Sequence, residues 1–541
     1  MSWAVLNVFL LIATVSAEFY TSLTLLKTLV GTDKDIALMI NGYVEKELER
    51  LDYLKKFLQE LQGHNDIRRD EEVLRYPFNV FLTIKEIITN WNKVVKIMRS
   101  NSADYVIRNM TRQKSTIKRI NYPREEDLSG AAIGLLRLQD AYYMDAKDIA
   151  DGKILNSQMR TVALTAGDCF EIGSVAYNEY DYYHAIMWMQ EARERVEKET
   201  IPTANLQDII DYLAFSLYKQ GNLKQALLLT DELYRMNPNH LRAKDNIKEY
   251  EDMLEDDGVQ SIDMRRDIPP INNVRHENDL DEGAKLTYEA LCRQEVPVDT
   301  KTQSRSYCYY KIDRPYLHLA PFKVEIVRQS PLVVLFYNIV SDEEARIIQM
   351  LAVSKARLAL LVSCFLLCKF HAYFKSILSY VNFDDFNNDF ILSAYLKSTE
   401  HEIVKRVDKR LELATNLGIE TAEDLRVHNY GIGGYFGPHF DCELRSMTEP
   451  EIGGRTVFMT NLRISVPCIK NALLFWYNLM RNGEVDMRSQ HAACPVLTGI
   501  KWIMTKQFRE RGQEWRRPCG LNQFDQERYV GDLGAKASLK Y

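Results

Sequence analysis

The sequence predicts an α+β multidomain protein: an all-α N-terminal part, made of a helical domain and a tetratricopeptide-like domain, then a small β-barrel or jelly roll. Three observations predict it. Val44, Leu48, Leu51, Leu54, Leu58 and Leu61 recur at steps of three and four with Glu and Lys between them, the spacing of an amphipathic helix. Residues 155–254 read as paired helices punctuated by Gly221 and Pro238. Later, short strands around Val427, Thr456, residues 472–476 and Lys501 are separated by glycine turns, as in small all-β architectures.

The first 17 residues form an apolar core ending in Val15-Ser-Ala17, which reads as a secretory signal peptide. No later run reaches the roughly 18 apolar residues that a membrane span needs, so no span is expected. A net charge of −6 over 541 residues offers no electrostatic reason to bind nucleic acid. Nine cysteines in an exported chain imply disulfides with one left over. Asn109-Met-Thr111 is a glycosylation acceptor.

Residues 18–150 are read as a helical N-terminal domain suited to self-association, and residues 151–255 as the repeat domain. In the latter, Gly221 ends one helix, Ala226 lets the next pack closely and Pro238 closes the unit. A partial earlier copy lies at residues 176–187. Stacked helical hairpins make a concave surface, here rich in tyrosine: Tyr177, Tyr180, Tyr182, Tyr183, Tyr212 and Tyr218. Aromatic grooves bind polyproline II helices, whose rings lie flat on aromatic faces. Two or three of these tyrosines are expected to face ligand and the rest to be repeat core.

Residues 256–320 are read as a polar linker in which Cys292 and Cys308 bracket a short loop. Residues 321–520 form the strand-rich domain, with a capping box at Ser341 and Glu344, and residues 521–541 a tail. Within that domain, His439 and Asp441 stand two apart after a glycine-rich approach. In a strand, i and i+2 leave the same face, so the pair supplies half of a two-histidine, one-carboxylate iron site. His491 is the best candidate for the second histidine. Lys501 follows ten positions later in an apolar run, where a charge needs a partner such as a carboxylate-bearing co-substrate.

Arg410-Leu-Glu-Leu-Ala-Thr-Asn416, Asn429-Tyr-Gly-Ile-Gly-Gly434, Pro438-His-Phe-Asp441, Leu474-Phe-Trp-Tyr-Asn-Leu479, His491-Ala-Ala-Cys-Pro-Val-Leu-Thr-Gly499 and Gly512-Gln-Glu-Trp-Arg-Arg-Pro-Cys519 together resemble the alpha subunit of animal collagen prolyl 4-hydroxylase. The resemblance implies a double-stranded β-helix binding Fe(II) through His439, Asp441 and His491. Lys501, Tyr430 and Thr456 would bind 2-oxoglutarate, and ascorbate would serve as reductant. It implies a peptide site using Tyr177, Tyr180, Tyr183, Tyr212 and Tyr218, and disulfides Cys292–Cys308 and Cys494–Cys519. It also implies an α2β2 tetramer with protein disulfide isomerase, in the endoplasmic reticulum lumen, hydroxylating proline in collagen-like peptides with O2 and 2-oxoglutarate.

Four departures stand beside the resemblance. Phe436 replaces a usual tyrosine. Gln507 and Arg509 replace expected pocket residues on the face of Lys501, if the strand runs on. The short segment 442–452 points to a barrel lacking one strand. Residues 354–397 are an atypical insert. Two functions follow: an active procollagen-proline 4-dioxygenase, or a catalytically impaired peptide-binding or assembly subunit of the same family.

Overall fold

The computed structural model describes residues 76–98, 125–155, 161–275, 282–297, 306–355, 357–358, 391–431, 433–440, 444–448, 450–460 and 462–522. The signal segment, the apolar stripe of residues 44–61, Asn109, most of the atypical insert and Asp441 lie outside them. The described residues form two compact units that divide at residue 282.

The first unit is all-α: α1 (Pro77–Met98), α2 (Glu125–Tyr142), α3 (Ala146–Ala150), α4 (Ala166–Asn178), α5 (Tyr182–Val196), α6 (Leu206–Lys219), α7 (Leu223–Met236) and α8 (Ala243–Asp256). Helix α4 opens with a capping box: Thr165 Oγ1 accepts from the Asp168 amide at 3.1 Å and the Thr165 amide donates to Asp168 Oδ2 at 2.8 Å. A Cβ on Gly173 would stand 3.0 Å from Met189 Cε and 3.2 Å from Trp188 Cβ, so glycine lets α4 and α5 approach closely. Ala185, Ala192, Ala214 and Ala226 are buried at the other contacts. Helix α6 ends where Gly221 takes φ +78°, the left-handed C-terminal conformation that glycine adopts without strain.

Residues 257–275, expected as a linker, are strapped to these helices. Asn222 and Asn272 exchange hydrogen bonds of 2.7 and 2.8 Å, and Gln225 Nε2 donates to the Pro269 carbonyl at 2.8 Å. Arg275 pairs with Asp140 at 2.6 Å. Asp140 also lies 3.1 Å from Nε2 of the buried His184, whose Nδ1 is 2.6 Å from Asp181. Burial opposes charge on His184, but the two carboxylates outweigh it and raise the imidazole to about 9.

The second unit begins with α9 (Glu282–Arg293), followed by β1 (Tyr307–Lys311), α10 (Pro315–Leu319), β2 (Phe322–Gln329), β3 (Leu332–Tyr337), α11 (Asp342–Lys355), β4 (Arg357–Leu358), β5 (Ile391–Leu396) and α12 (Glu402–Thr415). Then come β6 (Leu425–Tyr430), β7 (Phe436–His439), β8 (Leu444–Ser446), β9 (Ile452–Gly453), β10 (Thr456–Phe458), β11 (Ile464–Val466), β12 (Leu473–Trp476), β13 (His491–Ala493), β14 (Val496–Thr498) and β15 (Lys501–Thr505). A nine-stranded sheet has the order β1-β2-β3-β12-β8-β15-β6-β5-β4, and a four-stranded sheet the order β11-β10-β13-β7. The unit therefore starts before residue 321, because β1 pairs along β2 through residues 307–311.

The large sheet buries both faces. Val334, Phe336, Val427, Trp502 and Met504 pack with Ile348 of α11 and Val404, Val407 and Leu411 of α12. On the other face, Leu335, Leu474, Trp476 and Ile503 meet Phe458, Val466 and Ala493 of the small sheet. Burying one such side chain is worth about 1.5–3 kcal/mol, so alternation along each strand sets which face is which.

The strand expected to be missing has a three-residue counterpart. Strand β8 sits between β12 and β15, with Leu444 opposite both Leu474 and Thr505. Beyond it, Thr448 Oγ1 accepts the Trp502 amide at 2.7 Å and donates to the Ile500 carbonyl at 2.6 Å. A side chain thus continues a ladder that the backbone is too short to complete. One end of the atypical insert is also structural: β5 pairs with β6 from Ile391 to Leu396, burying Ala394 and Leu396.

Candidate active site

His439 and His491 are register partners across β7 and β13. Their ring centroids are 4.3 Å apart, and His491 is 0% exposed. His439 Nδ1 lies 2.6 Å from the Gly437 carbonyl and His491 Nδ1 lies 3.0 Å from the Ser489 carbonyl. A ring nitrogen facing a carbonyl carries the proton, which leaves the lone pair on Nε2, the arrangement of metal-ligating histidines. Phe436 packs edge-on against His439 at 3.9 Å, and Trp476 does the same to His491 at 4.6 Å. The Trp476 indole is anchored by donating to Asn478 Oδ1 at 2.9 Å.

Lys501 stands opposite Tyr430 across β15 and β6. It is 1% exposed, and its Nζ has no hydrogen-bond partner among the described residues. Its Nζ lies 4.2 Å from the Tyr430 ring centroid. Burial pushes the ammonium down to about 8, with Cys468 acting weakly in the other direction. Lys501 and Thr456 line a small pocket with Leu335, Leu474 and Ile503. A buried cation facing an apolar pocket is a built receptor for an anion.

The face expected to continue from Lys501 stops early. Strand β15 ends at Thr505, and Lys506 is tied to the buried Asp408 at 3.0 Å. The Gln507 carbonyl accepts from the Glu423 amide at 2.9 Å, and Arg509 is exposed and paired with Glu423. The ion pair of Lys506 turns the chain off the sheet, so positions 507 and 509 do not extend the strand face of Lys501.

The expected disulfides are corrected. Cys292 is bonded to Cys494, with Cα atoms 5.6 Å apart, and Cys308 and Cys519 are exposed thiols outside any disulfide. The reason is the seat of α9. Leu291 and Cys292 pack with Val457, Met459, Ala492 and Cys494, and Tyr288 donates its hydroxyl to the Ala493 carbonyl at 3.1 Å. Because β13 alternates, His491 faces inward while Ala492 and Cys494 face α9. Cys308 lies instead on β1, opposite Glu325 of the large sheet.

The helical unit has its own site. Tyr212 lies 5.5 Å from Phe170 and 4.5 Å from Tyr177 (centroid distances). Tyr177 meets Phe215 at 5.6 Å, Phe215 meets Tyr218 at 5.7 Å, and Tyr218 meets Tyr250 at 4.9 Å. All but Tyr250 are half-buried. Arg242 pairs with Asp211 and hydrogen-bonds the Tyr177 side chain. Of the expected tyrosines, Tyr177, Tyr212 and Tyr218 join this row, and Tyr182 packs against it, 5.8 Å from Tyr177 and 6.2 Å from Phe215. Tyr180 does not: it is 79% exposed in the α4–α5 turn, with φ +62°. Tyr183 lies beside His184 and the Asp140–Arg275 pair, off the row. Phe170, Phe215, Tyr250 and Arg242 were not anticipated, although the i, i+3, i+6 spacing of Tyr212, Phe215 and Tyr218 on α6 is a legible signal.

Residues 22–156 match the N-terminal region of the prolyl 4-hydroxylase alpha-subunit, and residues 166–256 match the prolyl 4-hydroxylase peptide-substrate-binding domain. Prolyl 4-hydroxylase subunit alpha-1 of Caenorhabditis elegans is 45% identical over 543 residues, covering 96% of this chain and 93% of that one. The chain belongs to the prolyl 4-hydroxylase alpha-subunit family. Subunit alpha-2 of the same organism is 42% identical, with 99% of both chains covered. Subunit alpha-1 of Homo sapiens is 33% identical, covering 97% of this chain and all of its relative. Within this alpha-subunit family member, the aromatic row lies in the peptide-substrate-binding match, and no described helix is long and apolar enough to cross a membrane.

The residues fit a bound metal. Two imidazoles whose Nδ1 atoms face carbonyls stand in register, which would leave both Nε2 atoms to hold an ion. Among the described residues no cluster of three potential ligands forms. The carboxylate of Asp441, two residues past His439, belongs to the undescribed segment.

Proposed function

We propose that this chain is the catalytic alpha subunit of a procollagen-proline 4-dioxygenase. The observation that carries the proposal is the pairing of His439 with His491 in a unit that also buries Lys501, whose Nζ has no hydrogen-bond partner among the described residues. The β12-β8-β15-β6 run of the large sheet and the β11-β10-β13-β7 order of the small one support reading the unit as a double-stranded β-helix with all eight strands.

Iron(II) held by His439, His491 and Asp441 supplies the O2 and redox chemistry, with ascorbate keeping it ferrous. The remaining work belongs to the protein. Lys501 binds the far carboxylate of 2-oxoglutarate, and the Thr456 hydroxyl and Tyr430 hold the same end. Phe436, Phe458 and Trp476 fix the imidazoles and keep water from them. The helical unit holds the peptide, with proline rings on Tyr177, Tyr212 and Tyr218, so binding energy away from the reacting carbon positions the substrate. The net change converts proline, O2 and 2-oxoglutarate into 4-hydroxyproline, succinate and CO2. The chain works in the endoplasmic reticulum lumen as a glycoprotein in an α2β2 tetramer with protein disulfide isomerase.

The second reading, an impaired peptide-binding or assembly subunit, is favoured by Arg509 standing exposed on Glu423. Co-expression with protein disulfide isomerase, followed by succinate measurement on (Pro-Pro-Gly) repeats beside His491→Ala, separates the two. Succinate above the His491→Ala background supports the enzyme; equal signals sink it.

A further inference from the structure

The aromatic row has a charged end. Lys219 Nζ lies 5.1 Å from the Phe215 centroid and 4.8 Å from the Tyr218 centroid, within the roughly 6 Å reach at which a ring face attracts a cation. The Tyr218 hydroxyl donates to Glu249 Oε1 of α8 at 3.4 Å. Glu249 is exposed and makes no ion pair among the described residues. Burial and this carboxylate together raise the Tyr218 hydroxyl, so the phenol stays neutral. Asp245 and Asp252, exposed and about one turn to either side of Glu249 on α8, add negative potential. The chain's own lysine rests on two ring faces, one of them the ring whose hydroxyl reaches a carboxylate that makes no ion pair among the described residues, and that corner has the chemistry of an ammonium or guanidinium receptor.

We propose that this corner, formed by Phe215, Tyr218 and Glu249, binds a lysine or arginine side chain of a proline-rich peptide, making basic proline-rich peptides the preferred substrate class. The inference rests on the reading of the tyrosine row as the peptide groove. Spacing supports it. Tyr212 and Tyr218 are six residues apart on α6, about 9 Å at 1.5 Å per residue. A polyproline II peptide rises about 3.1 Å per residue with three residues per turn. A side chain three residues from the proline on Tyr212 therefore arrives at Tyr218 on the same face of the peptide. Lys219 is exposed on the helix surface and swings off the rings when the peptide's cation takes its place.

The test titrates the full-length chain with three proline-rich peptides that differ at one position, three residues from a proline: lysine, its uncharged isostere norleucine, or glutamate. The lysine peptide is expected to bind about five- to tenfold tighter than the norleucine peptide, the scale of one cation–π contact plus one exposed charge pair. Glu249→Gln, which removes the charge pair and keeps the two rings, cuts that preference to about two- to threefold. Lys219→Gln, which clears the ring faces, tightens the lysine peptide alone. Equal binding of lysine and norleucine peptides overturns the proposal, as does a preference that Glu249→Gln leaves undiminished. If the norleucine peptide binds and is weakened by Tyr212→Ala while lysine adds nothing, the row is a peptide groove without a cation subsite. If no peptide binds, the groove reading falls and this inference falls with it.

Discussion

His439 and His491 face each other across the β7–β13 ladder only because β7 carries one extra residue. His491 pairs with His439 and Ala493 with Phe436, so two steps on one strand answer three on the other, a β-bulge. The bulge turns Phe436 and His439 to the same side, where strict alternation would have opposed them. Replacing either histidine by alanine is expected to abolish stable iron uptake, measured as metal per chain after dialysis. The two variants fold as the parent does, because the aromatic neighbours Phe436 and Trp476 remain.

Lys501 sets a pH dependence for co-substrate binding. Burial holds its pKa near 8, below the ordinary 10.5, so above about pH 8 the amine must regain a proton before it can pair with a carboxylate. The dissociation constant for 2-oxoglutarate should rise about tenfold per pH unit between about 8 and 10, read by calorimetry. Lys501→Met should bind weakly with no such slope. Without ligand the sign reverses. The unfolded chain binds the extra proton between these pKa values, so stability rises with pH across that window, by about 3 kcal/mol in all.

The Cys292–Cys494 bond joins positions 202 residues apart. Cys494→Ser should lower stability by about 2–5 kcal/mol, seen as a lower denaturation midpoint. Cys308→Ser and Cys519→Ser should leave the midpoint unchanged. Peptide mapping without reductant should recover residues 292 and 494 in one linked fragment; a fragment joining 292 to 308 would contradict the structure.

His184 gives the helical unit the opposite pH behaviour. Its pKa is raised to about 9 by Asp140 and Asp181, so its contribution is complete below about pH 6.5 and is lost as pH rises through 9. The loss should approach about 3 kcal/mol, followed by urea unfolding at pH 6 and pH 9.5. His184→Gln should flatten the difference.

Tyr212 touches both Phe170 and Tyr177 at the middle of the row. Tyr212→Ala should weaken binding of a proline-rich peptide by about 2 kcal/mol, roughly 30-fold. Tyr180→Ala should change nothing, because its side chain stands in solvent in a turn. Fluorescence titration of the two variants side by side checks both expectations.

Much of this protein was legible from its chain. The two histidines, the lysine and the tyrosine-rich repeats are local signals: a short spacing, a charge in an apolar run, a turn glycine before a buried alanine. Such signals report what a segment must do, because period and burial follow directly from residue type. Tertiary structure decided the rest, since pairing between distant segments is not encoded in any one of them. It joined Cys292 to Cys494 because α9 rests on the outward face of β13. It filled the seat between β12 and β15 with three residues and the Thr448 hydroxyl, where the length of residues 442–452 had suggested an empty place. It ended β15 at Thr505, so Gln507 and Arg509 lost the face that alternation had assigned them. It also separated Tyr212 and Tyr218, which stand in one aromatic row, from Tyr180, which sits in a turn. The physical reason is the same in each case: a strand's face is set by its own alternation, but its neighbour is chosen by which distant backbone and side chains it can bury.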